Sequence, residues 1–217
     1  MRRKKRAHHM IKKVAPKDGL KPVLIDHDRE KLLNAVVYFV KGTKHCGVTK
    51  LVKLLYYLDF FHFKEAGRSV TSLTYYAWQF GPVPKAFYKE LNSTPQPDDL
   101  AEFVRVTPKA DPDDFTVITP VRKFDGKWFS KRELRLLHDV ADMFKNARAK
   151  DMVEVAHLPN TPWDATVKTK GMLKEIDYLL ALDDSEESLK REEVMERLAD
   201  RKVIRQAFGE VRHCPIP

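Results

Sequence analysis

The apolar period of this 217-residue chain switches from helical to strand-like at Gly67, and that switch limits how the chain can be built. Before it, Leu51, Leu54, Leu55, Leu58 and Phe61 recur at helical spacing, which predicts a helix from about Thr49 to Gly67. Lys50, Lys53 and Lys64 lie off that stripe. After it, residues 70–80, VTSLTYYAWQF, are rich in β-branched and aromatic side chains and predict a strand. Gly81-Pro82-Val83-Pro84 breaks the strand, and Pro84 suits the first turn of a helix running to about Leu91.

The flanking sequence adds helices to both sides. Asp28 is placed to cap a helix through about Lys41, with Glu30 in its first turn and Gly42 just past its end. Leu32, Leu33, Val36, Val37 and Val40 give it one apolar face. Residues 101–106 and 115–119 are two further strand candidates, separated by the polar TPKADPDD stretch, and read as an appended hairpin. Ser130 and Glu133 make a capping box, ahead of a helix with Leu134, Leu137, Ala141 and Phe144 on one face. A short helix is expected at 151–157, and another from Thr161-Pro162 to about Gly171. Residues 172–182 add an apolar-faced segment. From Asp183 the pattern is a charged helix with sparse apolar positions: Leu189, Val194 and Leu198. The expected class is α+β: a mostly helical single domain over 23–182, with a small antiparallel sheet and a β-hairpin. Residues 1–22 form a basic disordered leader, and 183–217 a charged C-terminal helix and tail.

Charge divides the chain unevenly. Of the formal +9, residues 1–21 carry nine Lys or Arg against one Asp. The remaining 196 residues carry 31 basic and 30 acidic side chains and are nearly neutral. The leader can therefore attract nucleic acid weakly and without sequence preference, whereas the body is a poor clamp for a phosphate backbone. The basic start lacks the apolar segment of a signal peptide, and no apolar run reaches membrane-spanning length, so a cytoplasmic protein is expected. Cys46 and Cys214 match no metal or redox spacing and read as reduced thiols.

No constellation of catalytic residues is visible. Gly42-TKHC-Gly47 has the glycine spacing of a phosphate-binding loop, but Val48 and Thr49 follow where Lys and Ser/Thr are needed, so it reads as an interhelical turn. Asp59 and His62 are three apart on the second helix and read as a helix-surface polar pair. His45 and Cys46 have no partners at metal-ligand spacing, and His157, near Trp163, has no companion nucleophile. The sequence thus predicts a non-enzymatic protein without metal or cofactor. The alternative is a nucleic-acid-binding regulator, with helices and a hairpin arranged as a winged helix and Tyr75, Tyr76, Trp78 and Phe80 free to stack on bases. Its candidate recognition helices carry mixed charge: Lys85 and Lys89 beside Glu90, and Lys131, Arg132 and Arg135 beside Glu133 and Asp139.

The stretch LVKLLYYLDFFHFKEAGRSVTSLTYYAWQFGPVPKAFYKEL, residues 51–91, resembles the core signature of the Panacea, or SocA-like, antitoxin domain. The matching positions are Leu54, Leu55, Tyr56, Asp59 and Phe60, then Gly67, Arg68 and Ser69, then Tyr75, Trp78, Gly81, Pro82, Val83 and Pro84. The capping-box helix and the Pro162-Trp163 pair extend the resemblance over about 29–180. It implies an antitoxin that neutralises a cognate protein toxin by direct contact. The SocA-like branch acts instead as an adaptor that delivers its toxin to the ClpXP protease. Some members add a folded DNA-binding domain, and the short leader here leaves no room for one. The signature residues, Trp163 included, are expected to be either scaffold or toxin-binding positions.

Overall fold

The computed structural model describes residues 25–107, 116–208 and 212–213. The leader calculated to carry most of the charge, Cys214 and most of the TPKADPDD stretch lie outside them. Strand β1 (Ile25–Asp26) pairs in parallel with β6 (Arg212–His213). Helix α1 (Asp28–Gly42) buries Leu32, Leu33, Val36 and Val37, as its period requires. Its N-cap is His27, not Asp28. Asp28 is the first helical residue, and its carboxylate accepts the Ser72 hydroxyl.

Helix α2 (Val48–Ala66) is the axis of the protein. Fourteen of its nineteen residues are buried, too many for one face. It is walled in by α1, α5 (Lys131–Met143), α6 (Ala149–Ala156), strand β3 (Gly81–Val83) and a 3-10 turn at Tyr178–Ala181. Neighbours on most sides leave α2 little solvent face, so Lys50 and Lys53, off the apolar stripe, are nonetheless fully buried, while Thr49 and Lys64 reach solvent at its two ends. Gly67 ends α2 as its sequence demands: φ is +67° and its N–H closes on the Phe63 carbonyl.

The expected strand over 70–80 is shorter. Only Tyr76–Trp78 forms β2, and it turns at Gln79-Phe80 into β3, which is itself part of the segment read as a breaker. Gly81 can open a strand here because φ is +94°, a conformation glycine takes without strain. Residues 173–176 extend the pairing on the other edge of β2: Leu173 N–H donates to the Ala77 carbonyl and Ile176 N–H to the Tyr75 carbonyl. Helix α3 (Lys85–Leu91) follows with Pro84 as its cap.

The appended hairpin is present, with a later start. Residues 98–103 form helix α4 (Asp98–Phe103), and the antiparallel pair is β4 (Val104–Thr107) with β5 (Val117–Pro120). The Ser130–Glu133 capping box opens α5, and buried Leu136, Leu137, Val140 and Ala141 face α2. Thr161 caps α7 (Pro162–Lys170) by accepting the Asp164 N–H, and Gly171 ends it. The last helix, α8 (Arg191–Phe208), begins eight residues after Asp183, past a turn. Mostly helical with small antiparallel pairs, the fold is α+β.

Candidate interaction site

The signature block converges on one buried carboxylate. Asp59 is fully enclosed, and all four of its hydrogen bonds reach forward in the chain. Oδ1 accepts the Val70 and Thr71 N–H groups, each at 2.8 Å. Oδ2 accepts the Thr71 hydroxyl and, at 2.8 Å, the Tyr75 hydroxyl. Burial pushes the Asp59 carboxyl up to about 6 against the pull of those four donors, so near neutral pH it remains an acceptor. It thereby does for the chain after Gly67 what a backbone ladder would do, because Val70 and Thr71 belong to no helix or strand. The expected Asp59–His62 surface pair is not formed. Both side chains are buried, and His62 Nδ1 is bonded to the Arg68 carbonyl at 2.8 Å instead. Burial lowers the His62 pKa, which favours the neutral ring with its proton on Nδ1.

The buried lysines serve the same end by different means. Lys50 Nζ donates to the carbonyls of Lys44 and Ala147, both at 2.7 Å, tying the α1–α2 turn to the α5–α6 connection. This turn is the glycine-spaced Gly42–Gly47 stretch, confirmed as an interhelical connection. Cys46 lies beside Lys50, and burial pushes its thiol up to about 11, which keeps it protonated. Lys53 Nζ donates to the Pro82 carbonyl at 2.9 Å and meets no carboxylate, so desolvation pulls it down to about 7. A Cβ on Gly81 would come within 3.0 Å of Lys53 Cε and Nζ. The glycine is therefore required by the lysine as well as by its own φ.

Trp163 completes the block from a distant part of the chain. Its indole N–H donates to the Trp78 carbonyl at 2.9 Å, and its ring stacks on His157 with centroids 4.0 Å apart. His157 is thus packed, with its pKa lowered by desolvation and by nearby Lys53. The Tyr56 ring is tilted against Phe60 and meets Tyr75 edge-on. Of the fifteen signature positions, Leu54, Leu55, Tyr56, Asp59, Phe60, Gly67, Tyr75, Gly81, Pro82, Val83 and Pro84 are buried. Arg68, Ser69, Trp78 and Trp163 are half-buried, and none is exposed.

Two features near the block were not legible in the sequence. The first is an aromatic cavity of about 290 Å³ between α2 and the 160–162 and 180–183 segments, lined by Tyr56, Tyr57, Phe60 and Phe61. The Tyr56 and Tyr57 hydroxyls are buried without a partner among the described residues. The second is a set of exposed apolar side chains on the hairpin side: Phe80, Leu158, Met172 and Leu173. Leu173 holds φ at +64°, a conformation that is strained for a leucine.

Two of the five cations on the candidate recognition helices are engaged by carboxylates of the body. Arg132 and Arg135 both pair with Glu65, and Arg135 also with Asp139. Among the described residues no group of three or more His, Cys, Asp or Glu side chains is placed to hold a metal ion. No described helix is long and apolar enough to cross a membrane. The family model described as antitoxin SocA-like, Panacea domain, matches residues 51–164. No curated protein and no solved structure matches the chain.

Proposed function

The chain belongs to the SocA-like Panacea antitoxin family, and from that premise we propose that it neutralises a cognate protein toxin by binding it directly. The observation that carries this reading is the family match over residues 51–164, which places the chain in a toxin–antitoxin context. The use to which the signature is put adds to it. Asp59, Lys53 and Trp163 commit their side-chain polar atoms to the chain itself, which supports a scaffold role for these positions and leaves toxin contact to more exposed side chains around them. A buried frame with a free surface around it suits a family whose partners differ. The family points to a non-enzymatic role, and neutralisation is either occlusion of the toxin or its delivery to ClpXP.

The test is co-expression with the product of the neighbouring reading frame. Growth rescue with a co-purifying complex is the expected result. Turnover of a substrate by the purified protein, tracking rescue across variants, would overturn the binding reading. Occlusion and delivery separate in cells lacking ClpXP: a longer toxin half-life there means delivery, and an unchanged half-life means occlusion. Truncation at Asp183 is a poor discriminator, because Val194 is fully buried and lies with Leu189 against Gly67 at the end of α2.

A further inference from the structure

Helix α8 changes character along its inner face. Val194 and Leu198 point at the body, and Arg197 donates to the Ala66 carbonyl at 3.0 Å, so this half of the helix closes the C-terminal end of α2. The same stripe continues through Arg201, Lys202 and Arg205, at the spacing where an amphipathic helix would carry apolar residues. There the helix stands off from the body, and two adjoining cavities of about 390 and 560 Å³ open beneath it. Arg68, Ser69, Ser72, Arg201 and Arg205 line both, so they form one continuous groove.

The groove is lined by more cations than carboxylates: Arg68, Arg201, Lys202, Arg205 and Lys31 against Asp28 and Glu175. Lys31 is paired with Glu133 at 2.7 Å, and Arg68 approaches the same carboxylate at 3.5 Å. No carboxylate of the described residues forms an ion pair with Arg201, Lys202 or Arg205. Arg201 is held below its ordinary value by desolvation and by the nearby charges of Arg68 and Arg205, with only Asp28 opposing them. Three guanidiniums gathered around a groove repel one another, and an anionic occupant removes that cost.

Two observations choose among anions. Phosphate sites in loops draw on backbone N–H groups, yet the Val70 and Thr71 N–H groups of this wall are consumed by Asp59. The floor, moreover, is apolar and aromatic, with Phe63, Leu73, Ile176, Tyr178 and Leu198. The cations sit at the rim of a hydrophobic trough, which fits alternating acidic and apolar side chains better than a sugar-phosphate chain. We propose that the groove between α8 and the Arg68–Ser72 segment is a docking site for an acidic, apolar-interleaved peptide segment of a protein partner. That the partner is the toxin rests on the antitoxin reading above.

The test uses the full chain and its Arg201→Glu, Arg205→Glu double variant. The probe is a fluorescein-labelled peptide of alternating Glu and Leu, followed by anisotropy. Saturable binding is expected, weakened at least about tenfold in the double variant and at 0.5 M salt. No saturable binding, or equal binding by the variant, overturns the proposal. Tighter binding of pyrophosphate or of a DNA oligonucleotide, lost in the double variant, overturns it in favour of a phosphate ligand. An unchanged melting temperature shows that the variant folds. In co-expression, a wild-type protein that rescues alongside an equally effective double variant removes the groove from toxin binding and leaves the antitoxin reading intact. A wild-type protein that fails to rescue sinks the antitoxin reading, while the peptide measurement still decides the groove.

Discussion

The connection from Gly67 to Tyr75 has two sides governed by opposite rules. On its inner side every donor is answered: Val70 N–H, Thr71 N–H, the Thr71 hydroxyl and the Tyr75 hydroxyl all meet Asp59. On its outer side Arg68, Ser69 and Ser72 face the α8 groove across Arg201 and Arg205, and positive charge there exceeds that of the lining carboxylates Asp28 and Glu175. Satisfied polar groups fix one conformation, because leaving any of them unpaired in the interior is costly. Unbalanced charge at a groove does little for the fold and reserves binding energy for a ligand. One short segment thus separates what the scaffold needs from what a partner can use.

The largest effect should come from breaking the inner side. Asp59→Ala leaves four buried donors without an acceptor and is expected to destabilise the protein by about 3–5 kcal/mol, read as a shift in the urea midpoint. A shift below about 1 kcal/mol would mean that water replaces the carboxylate and that the node is not what holds the segment.

An effect that is smaller at each pH step, with a distinctive pH signature, is expected at Lys53. Its folded pKa is about 7, while the unfolded chain titrates near 10.5. Between those values the unfolded chain holds a proton that the folded protein has released, so stability should rise with pH over that window. The rise is on the order of 1 kcal/mol per pH unit, and below about 7 the slope disappears. Lys53→Met should flatten the profile from pH 7 to 10. An identical slope in the variant would assign it to another group.

The smallest change in stability belongs to the outer side. Arg201→Gln removes a repelled charge with no ion pair among the described residues and should leave the melting temperature unchanged or slightly raised, within about 0.5 kcal/mol. A clear loss of stability would make Arg201 part of the scaffold and erase the distinction between the two sides.

Much of the local structure was legible in the residues because its causes are local. Gly67 stops α2 by taking a left-handed φ, Ser130 and Glu133 cap α5 reciprocally, and Thr161 with Pro162 starts α7. Each depends on atoms within a few residues, so spacing alone reveals it. The strand over 70–80 was overextended because its β-branched and aromatic composition reports burial as much as pairing. Val70, Thr71 and Tyr75 are buried but are held by Asp59 and not by a neighbouring strand. Among the candidate site residues, Asp59 was misplaced on a surface for the same reason that Lys50 and Lys53 were passed over. Periodicity finds the apolar face of a helix, but it cannot count how many neighbours enclose the rest.

By itself, then, the sequence determined the stop of α2 and the switch of period at Gly67, the caps that open α5 and α7, the α+β class and the signature that marks the family. Those are properties of neighbours along the chain. Only the tertiary structure decided that α2 is enclosed, that its charged residues are interior ties, and that α8 leaves arginines facing a groove. Desolvation and charge balance are set by every element that packs around a group, and those elements come from positions as far apart as Arg68 and Arg205.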